Sequence, residues 1–110
     1  MLNETITKIE GRIQNSAAIN DAHRAELLGL LAQLKTEVAE LSKTHRDHAE
    51  NIASRADLSA SAATSEVRNP DTLKQSITDL ESSVGDFEKS HPQLVGVVNR
   101  FATMLANMGI

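Results

Sequence analysis

Residues 27–41 read LLGLLAQLKTEVAEL. Large apolar side chains recur there at alternating steps of four and three residues, at Leu27, Leu31, Leu34, Val38 and Leu41. This spacing is typical of the apolar stripe by which one α-helix packs against another. The stretch therefore predicts a long helix with one buried face.

The same spacing continues beyond Leu41 through His45, His48 and Ile52. The following segment, 53–65, is rich in alanine and serine, and its alanines favour helix. Asn20 or Asp21 can cap the start of the helix with a side-chain oxygen. We predict helix 2 over about residues 21–67, with both histidines on its inward face.

A shorter helix precedes this one and another follows it. Apolar residues from Leu2 to Ile13 recur at steps of four and three, which predicts helix 1 over about 2–15. Asn69 followed by Pro70 is a typical helix start, with a capping side chain and a proline in the first turn. This pair predicts helix 3 over about 70–90.

Pro92 divides the second half of the chain. It has no N–H to donate, and it disfavours the α conformation of His91. Either one helix is kinked there, or Pro92 lies in the first turn of a new helix 4 over about 92–108. The apolar spacing continues unchanged across Pro92, which favours the kink.

These elements predict one all-α domain over residues 1–110. A helix over 21–67 is about 70 Å long at 1.5 Å per residue, so the molecule is expected to be elongated. A turn near Arg68 would fold the second arm back along the first. The predicted fold is an elongated helical hairpin with a short N-terminal helix, its second arm kinked or broken at Pro92, forming a helical bundle.

Composition excludes several classes of function. The chain carries 11 basic and 15 acidic residues, a net charge of −4, with both signs scattered along it. Nucleic acid is not an expected partner, because its binding depends on clustered Lys and Arg. The chain has no cysteine and lacks a Gly-rich phosphate loop, a G-x-S-x-G turn and an H-E-x-x-H motif, so we predict neither an enzyme nor a cofactor.

The apolar segments at the two ends of the sequence indicate where in the cell the protein is expected. Residues 1–12 carry Glu4, Lys8 and Glu10, so they lack the continuous apolar run of a signal peptide. Residues 92–110 carry only Arg100 as a charge, but polar residues such as Asn99 argue against a membrane span. The expectation is a cytoplasmic protein.

Helix 4 is apolar around most of its circumference, so it needs several helical neighbours. With only two aromatic residues and many alanines, a monomer would have a thin core. We predict a non-enzymatic protein–protein interaction or structural module that self-associates, as a dimer, with an unidentified protein partner as an alternative. The expected contact residues are Leu27, Leu31, Phe87, Leu94, Val98, Phe101, Leu105 and Met108.

Three histidines offer an alternative function. The predicted hairpin brings His91 to the level of His45 and His48, and neutral imidazoles bind Zn²⁺ and similar divalent metals. The same three side chains could instead sense pH, or form a polar layer bonded to the Glu88 carbonyl that Pro92 deprives of its helical donor. The alternative function is therefore metal binding or pH sensing by a His layer.

The C-terminal part of the chain carries two short sequence motifs. Residues 87–94 read FEKSHPQL, and the chain ends in LANMGI at 105–110. This part, from about Leu73 onward, resembles a family of small uncharacterised bacterial helical proteins, a domain of unknown function, with the pattern F-E-x-x-H-P-x-L and then L-A-N-x-G-I. The resemblance implies a helical fold and supplies no catalytic residue.

Overall fold

The computed structural model describes residues 2–17, 19–65 and 69–109, which are all-helical as predicted and contain no β-strand. The helices are α1 (Leu2–Asn15), α2 (Asp21–Ser42), α3 (Arg46–Thr64), α4 (Pro70–Ser83) and α5 (Pro92–Gly109). A short 3₁₀ helix, Gly85–Phe87, lies between α4 and α5.

The predicted helix starts follow from local capping. The Asn20 side-chain oxygen accepts a hydrogen bond from the His23 backbone N–H at 2.8 Å, at the start of α2. The Asn69 side chain accepts from two backbone N–H groups in the same way at the start of α4. These bonds satisfy donors that have no partner within a helix.

The prediction of one helix over 21–67 is wrong, because the chain breaks between Ser42 and Arg46. His45 leaves the helical conformation, with φ −137° and ψ 64°. Residues 42–48 carry no apolar side chain that burial could hold in place, and the Thr44 hydroxyl bonds locally to its neighbours. The predicted helix end at 67 lies outside the described residues.

At Pro92 the chain starts a new helix, so the kink is wrong and the break is right. The predicted helix over 70–90 ends at Ser83, and a 3₁₀ helix and a turn lead to Pro92. Gly85 lies just after this end, where its flexibility disfavours further helix. The new helix, α5, begins at Pro92, as predicted for helix 4 in this alternative, and extends to Gly109.

The core is organised around α3, which contacts the other four α-helices. Its buried face consists mostly of alanines, at Ala49, Ala53, Ala56, Ala60 and Ala63. The isoleucines of α1, at positions 6, 9 and 13, are buried in the same core. Small side chains let neighbouring backbones approach closely, so α3 can lie at the centre of a five-helix arrangement.

The elongated shape is wrong as well. The radius of gyration is 12.8 Å and the longest axis is 37 Å, about half the length of the helix predicted over 21–67. The break before α3 lets its alanine face be covered by helices on several sides. No helix within the described ranges is long and apolar enough to cross a membrane.

Arg24 joins α1 to α2. Its guanidinium donates to the backbone oxygens of Ile13, Ser16 and Ile19 at 3.2, 2.6 and 2.9 Å. Carbonyls at the end of a helix lack partners within it, and Arg24 satisfies one of these in α1, at Ile13, together with two carbonyls of the segment that follows. Asp21 holds the same guanidinium at 2.8 Å.

We expect Arg24→Met to lower the free energy of unfolding by about 2 kcal/mol, because partly buried carbonyls lose charged donors. Urea denaturation monitored by circular dichroism measures the change. Arg46→Met is the matched control, since Arg46 is exposed and its pair with Glu50 is long at 3.5 Å. An equal loss in both variants would show that the Arg24 contacts contribute nothing particular.

Candidate functional site

Most of the predicted contact residues lie inside the chain's own core. Seven of the eight are buried, with at most 6% exposure, and the eighth, Met108, is partly buried. The seven are Leu27, Leu31, Phe87, Leu94, Val98, Phe101 and Leu105. The apolar stripe of α5 packs on α2, α3 and α4 of the same chain. These side chains are therefore not available to a partner in this structure.

The same two helices form a groove on their outer side. α2 contributes residues from Glu26 to Glu37, and α5 contributes residues from Pro92 to Met104. The end of α2 near Glu26 faces the C-terminal half of α5, so the two helices run antiparallel. The groove has two adjoining lobes of about 550 and 540 Å³, which share Gln33 and Arg100.

The groove is open because two of its positions carry no side chain. A Cβ atom added at Gly29 would meet nothing within 4 Å, and one at Gly96 would meet only the Arg100 guanidinium, at 3.7 Å. Leu30 and Met104, both half-buried, line the first lobe. The site thus offers an apolar strip beside polar side chains.

The charges along the groove have no partners within the part of the chain that the structure describes. Arg100 is the only charged residue of α5, and it forms no ion pair there. Glu26 and Glu37 line the first and second lobes, and they form none either. One cation and two carboxylates are therefore free to bind another molecule.

A second cluster contains the three predicted histidines. The rings of His45, His48 and His91 lie 5.5, 5.3 and 5.9 Å from the ring of Phe87, all near edge-on. His45 lies 6.1 Å from His48 and 6.5 Å from His91. The structure thus brings the three imidazoles together, although the long helix from which this was predicted does not exist.

The surroundings of these histidines differ from the prediction. His45 and His48 are exposed, so neither lies on an inward face. The Nδ1 atoms of His45 and His91 bond to the hydroxyls of Thr44 and Ser90, at 2.8 and 3.0 Å, and no described imidazole bonds to the Glu88 carbonyl. This local bonding leaves the Nε2 atoms of both rings without a protein partner among the described residues.

The cluster does not have the geometry of a metal site as it stands. Across the described ranges, no three His, Asp or Glu side chains are placed so that they could hold a metal ion. The Phe87 ring contacts all three imidazoles, so they surround an apolar side chain instead of a shared point. Binding a metal would require the exposed rings to turn.

Comparison with known proteins gives one match, to a family. Searches of curated proteins and of solved structures each found nothing that matches. A family model described as a domain of unknown function, DUF4404, matches residues 29–110. This match begins well before Leu73, from which the resemblance was inferred, and leaves α1 and the start of α2 outside. The chain therefore belongs to the DUF4404 family.

Proposed function

We propose that this protein is a non-enzymatic interaction module that self-associates, forming a dimer through the outer face of α2 and α5. The observation that carries this proposal is the open groove between the two helices, in which half-buried apolar side chains lie beside charges without partners. Interfaces typically combine an apolar centre with a polar rim.

The proposed contact lies on a different face of α2 and α5 from the side chains predicted from the sequence. Leu27, Leu94 and Phe101 face the chain's own core, whereas Leu30, Met104 and Arg100 line the groove. A partner seated there would cover Leu30 and Met104 and bring counter-charges to Arg100 and Glu37. Because only two half-buried apolar side chains, Leu30 and Met104, would be covered in the first lobe, we expect a reversible dimer of modest affinity.

The glycines allow a clean test. Gly29→Gln adds a neutral side chain in the groove, at a position where a Cβ atom meets nothing within 4 Å. Gly11→Gln adds the same side chain on α1, outside the groove, where a Cβ atom also meets nothing within 4 Å. Both changes remove a helix-interior glycine and should stabilise the fold by up to about 1 kcal/mol. We expect only Gly29→Gln to weaken the dimer, as measured by sedimentation equilibrium.

Wild-type protein is expected to shift with concentration from a monomer of 11.9 kDa toward twice that mass. A monomer over the whole accessible range would overturn the proposal. An equal effect of the two glycine variants would overturn the assignment of the dimer to this face.

One observation favours a second candidate function, metal binding or pH sensing by the His layer. His45, His48 and His91 all converge on Phe87, and two of them keep Nε2 free for a ligand while a hydroxyl bonds to Nδ1. Metal-bound histidines usually have such a partner on the other ring nitrogen. His45 and His48 are exposed, so a metal ion in solution can reach them.

Calorimetric titration with Zn²⁺, Ni²⁺ and Cu²⁺ tests this second candidate. Under it, wild-type protein releases binding heat that the triple variant His45→Ala/His48→Ala/His91→Ala lacks. His23→Ala is the matched control, because His23 is the fourth histidine of the chain and lies outside the cluster. Equal heats in wild-type and triple variant would remove the metal version.

A further inference from the structure

The groove residues occupy distinct levels along the two antiparallel helices. Gln33 and Arg100 lie at the middle, since each lines both lobes. Leu30 and Met104 lie together in the first lobe, and Glu37 lies in the second. These levels decide which side chains meet when two copies pack face to face.

Two symmetric arrangements keep the helices of this face aligned with those of a second copy, because the two-fold axis in the contact plane then runs along or across the groove. An axis across the groove at its middle places α5 on α5, so each Arg100 meets the Arg100 of the other copy. Like charges in contact are unfavourable. An axis along the groove places α5 of one copy on α2 of the other, antiparallel to it.

The axis along the groove pairs complementary side chains. Leu30 of one copy then faces Met104 of the other at the same level, and Arg100 faces the α2 helix near Gln33. Glu37 is one helical turn from Gln33, about 6 Å along the axis, whereas Glu26 is two turns away. Glu37 is also half-buried while Glu26 is exposed, so Glu37 is the closer and better-shielded carboxylate.

We infer that the occupant of the groove is a second copy of this chain, related by a two-fold axis along the groove, with Arg100 of each copy bound to Glu37 of the other. This inference rests on the proposed self-association and specifies its geometry. Each dimer contains two such ion pairs and two Leu30–Met104 contacts.

The charge pattern favours a second copy over an unrelated partner. A strongly acidic partner would meet Glu26 and Glu37, and a strongly basic one would meet Arg100. The face carries charges of both signs, all without intrachain ion pairs in the described part of the chain, and it is complementary to itself when rotated. Self-complementarity is the requirement of a two-fold interface.

Charge reversal tests the pairing. Arg100→Glu and Glu37→Arg each turn both ion pairs of the dimer into like-charge contacts, so we expect either change to weaken the dimer at least about tenfold. An equimolar mixture of the two variants restores both pairs in a heterodimer. The doubly reversed chain, Arg100→Glu/Glu37→Arg, restores them in a homodimer. Sedimentation velocity measures the dissociation constants, and both are expected to return close to the wild-type value.

Lys74→Glu and Glu81→Arg on α4 are matched controls, because both residues are exposed, lie outside the groove and undergo the same changes of charge. If wild-type protein dimerises and Gly29→Gln disrupts the dimer, but the groove reversals behave like these controls, the pairing is overturned while the self-association proposal stands. Failure of both the mixture and the double variant to recover overturns it too. A monomeric wild-type protein overturns both proposals.

Discussion

Neighbouring helices pack directly on the alanine face of α3, and this packing sets how the other helices are arranged. Five alanines on this helix are fully buried, and α3 contacts every other α-helix. The hydroxyl of Ser59, on the same helix, lies 3.0 Å from the Ser76 backbone oxygen of α4, so the buried polar group also joins two helices. A larger side chain at Ala56 would force its neighbours apart, since protein interiors tolerate added volume poorly.

This central position of α3 determines what remains for a partner. Because α3 and α4 cover the apolar stripe of α5 from within the chain, the large side chains of α5 are used in the protomer core. What α5 leaves outside is the edge that it shares with α2, where Gly29 and Gly96 leave space and Arg100 has no ion-pair partner among the described residues. The apolar side chains predicted as contacts are thus buried within the chain, and the proposed interaction uses the residues of this edge instead.

Features set by local chemistry could be predicted from the sequence, and those set by tertiary packing could not. The capping side chains at Asn20 and Asn69 depend on neighbouring residues, and they were predictable. At Pro92 the local chemistry allowed a new helix, but the unbroken apolar spacing favoured a kink, which the structure does not have. The break at 43–45 was not, because His45 and His48 happen to keep the apolar spacing although both are exposed. We predicted that His91 lies at the same level as His45 and His48, but not that the ring of Phe87 lies among the three imidazoles. The groove was not predicted either, because the apolar stripe of a helix does not show which of the surfaces beside it other helices leave uncovered.

We propose that copies of this protein meet through the groove between α2 and α5. The glycine amide signals in a ¹⁵N–¹H correlation spectrum test it most directly, because Gly29 and Gly96 lie in the groove while Gly11 and Gly85 lie outside it. On dilution from millimolar to low micromolar protein, the dimer dissociates, so we expect the signals of Gly29 and Gly96 to move together while those of Gly11 and Gly85 stay in place. Signals that all stay in place, or that move at Gly11 and Gly85 instead, would contradict it.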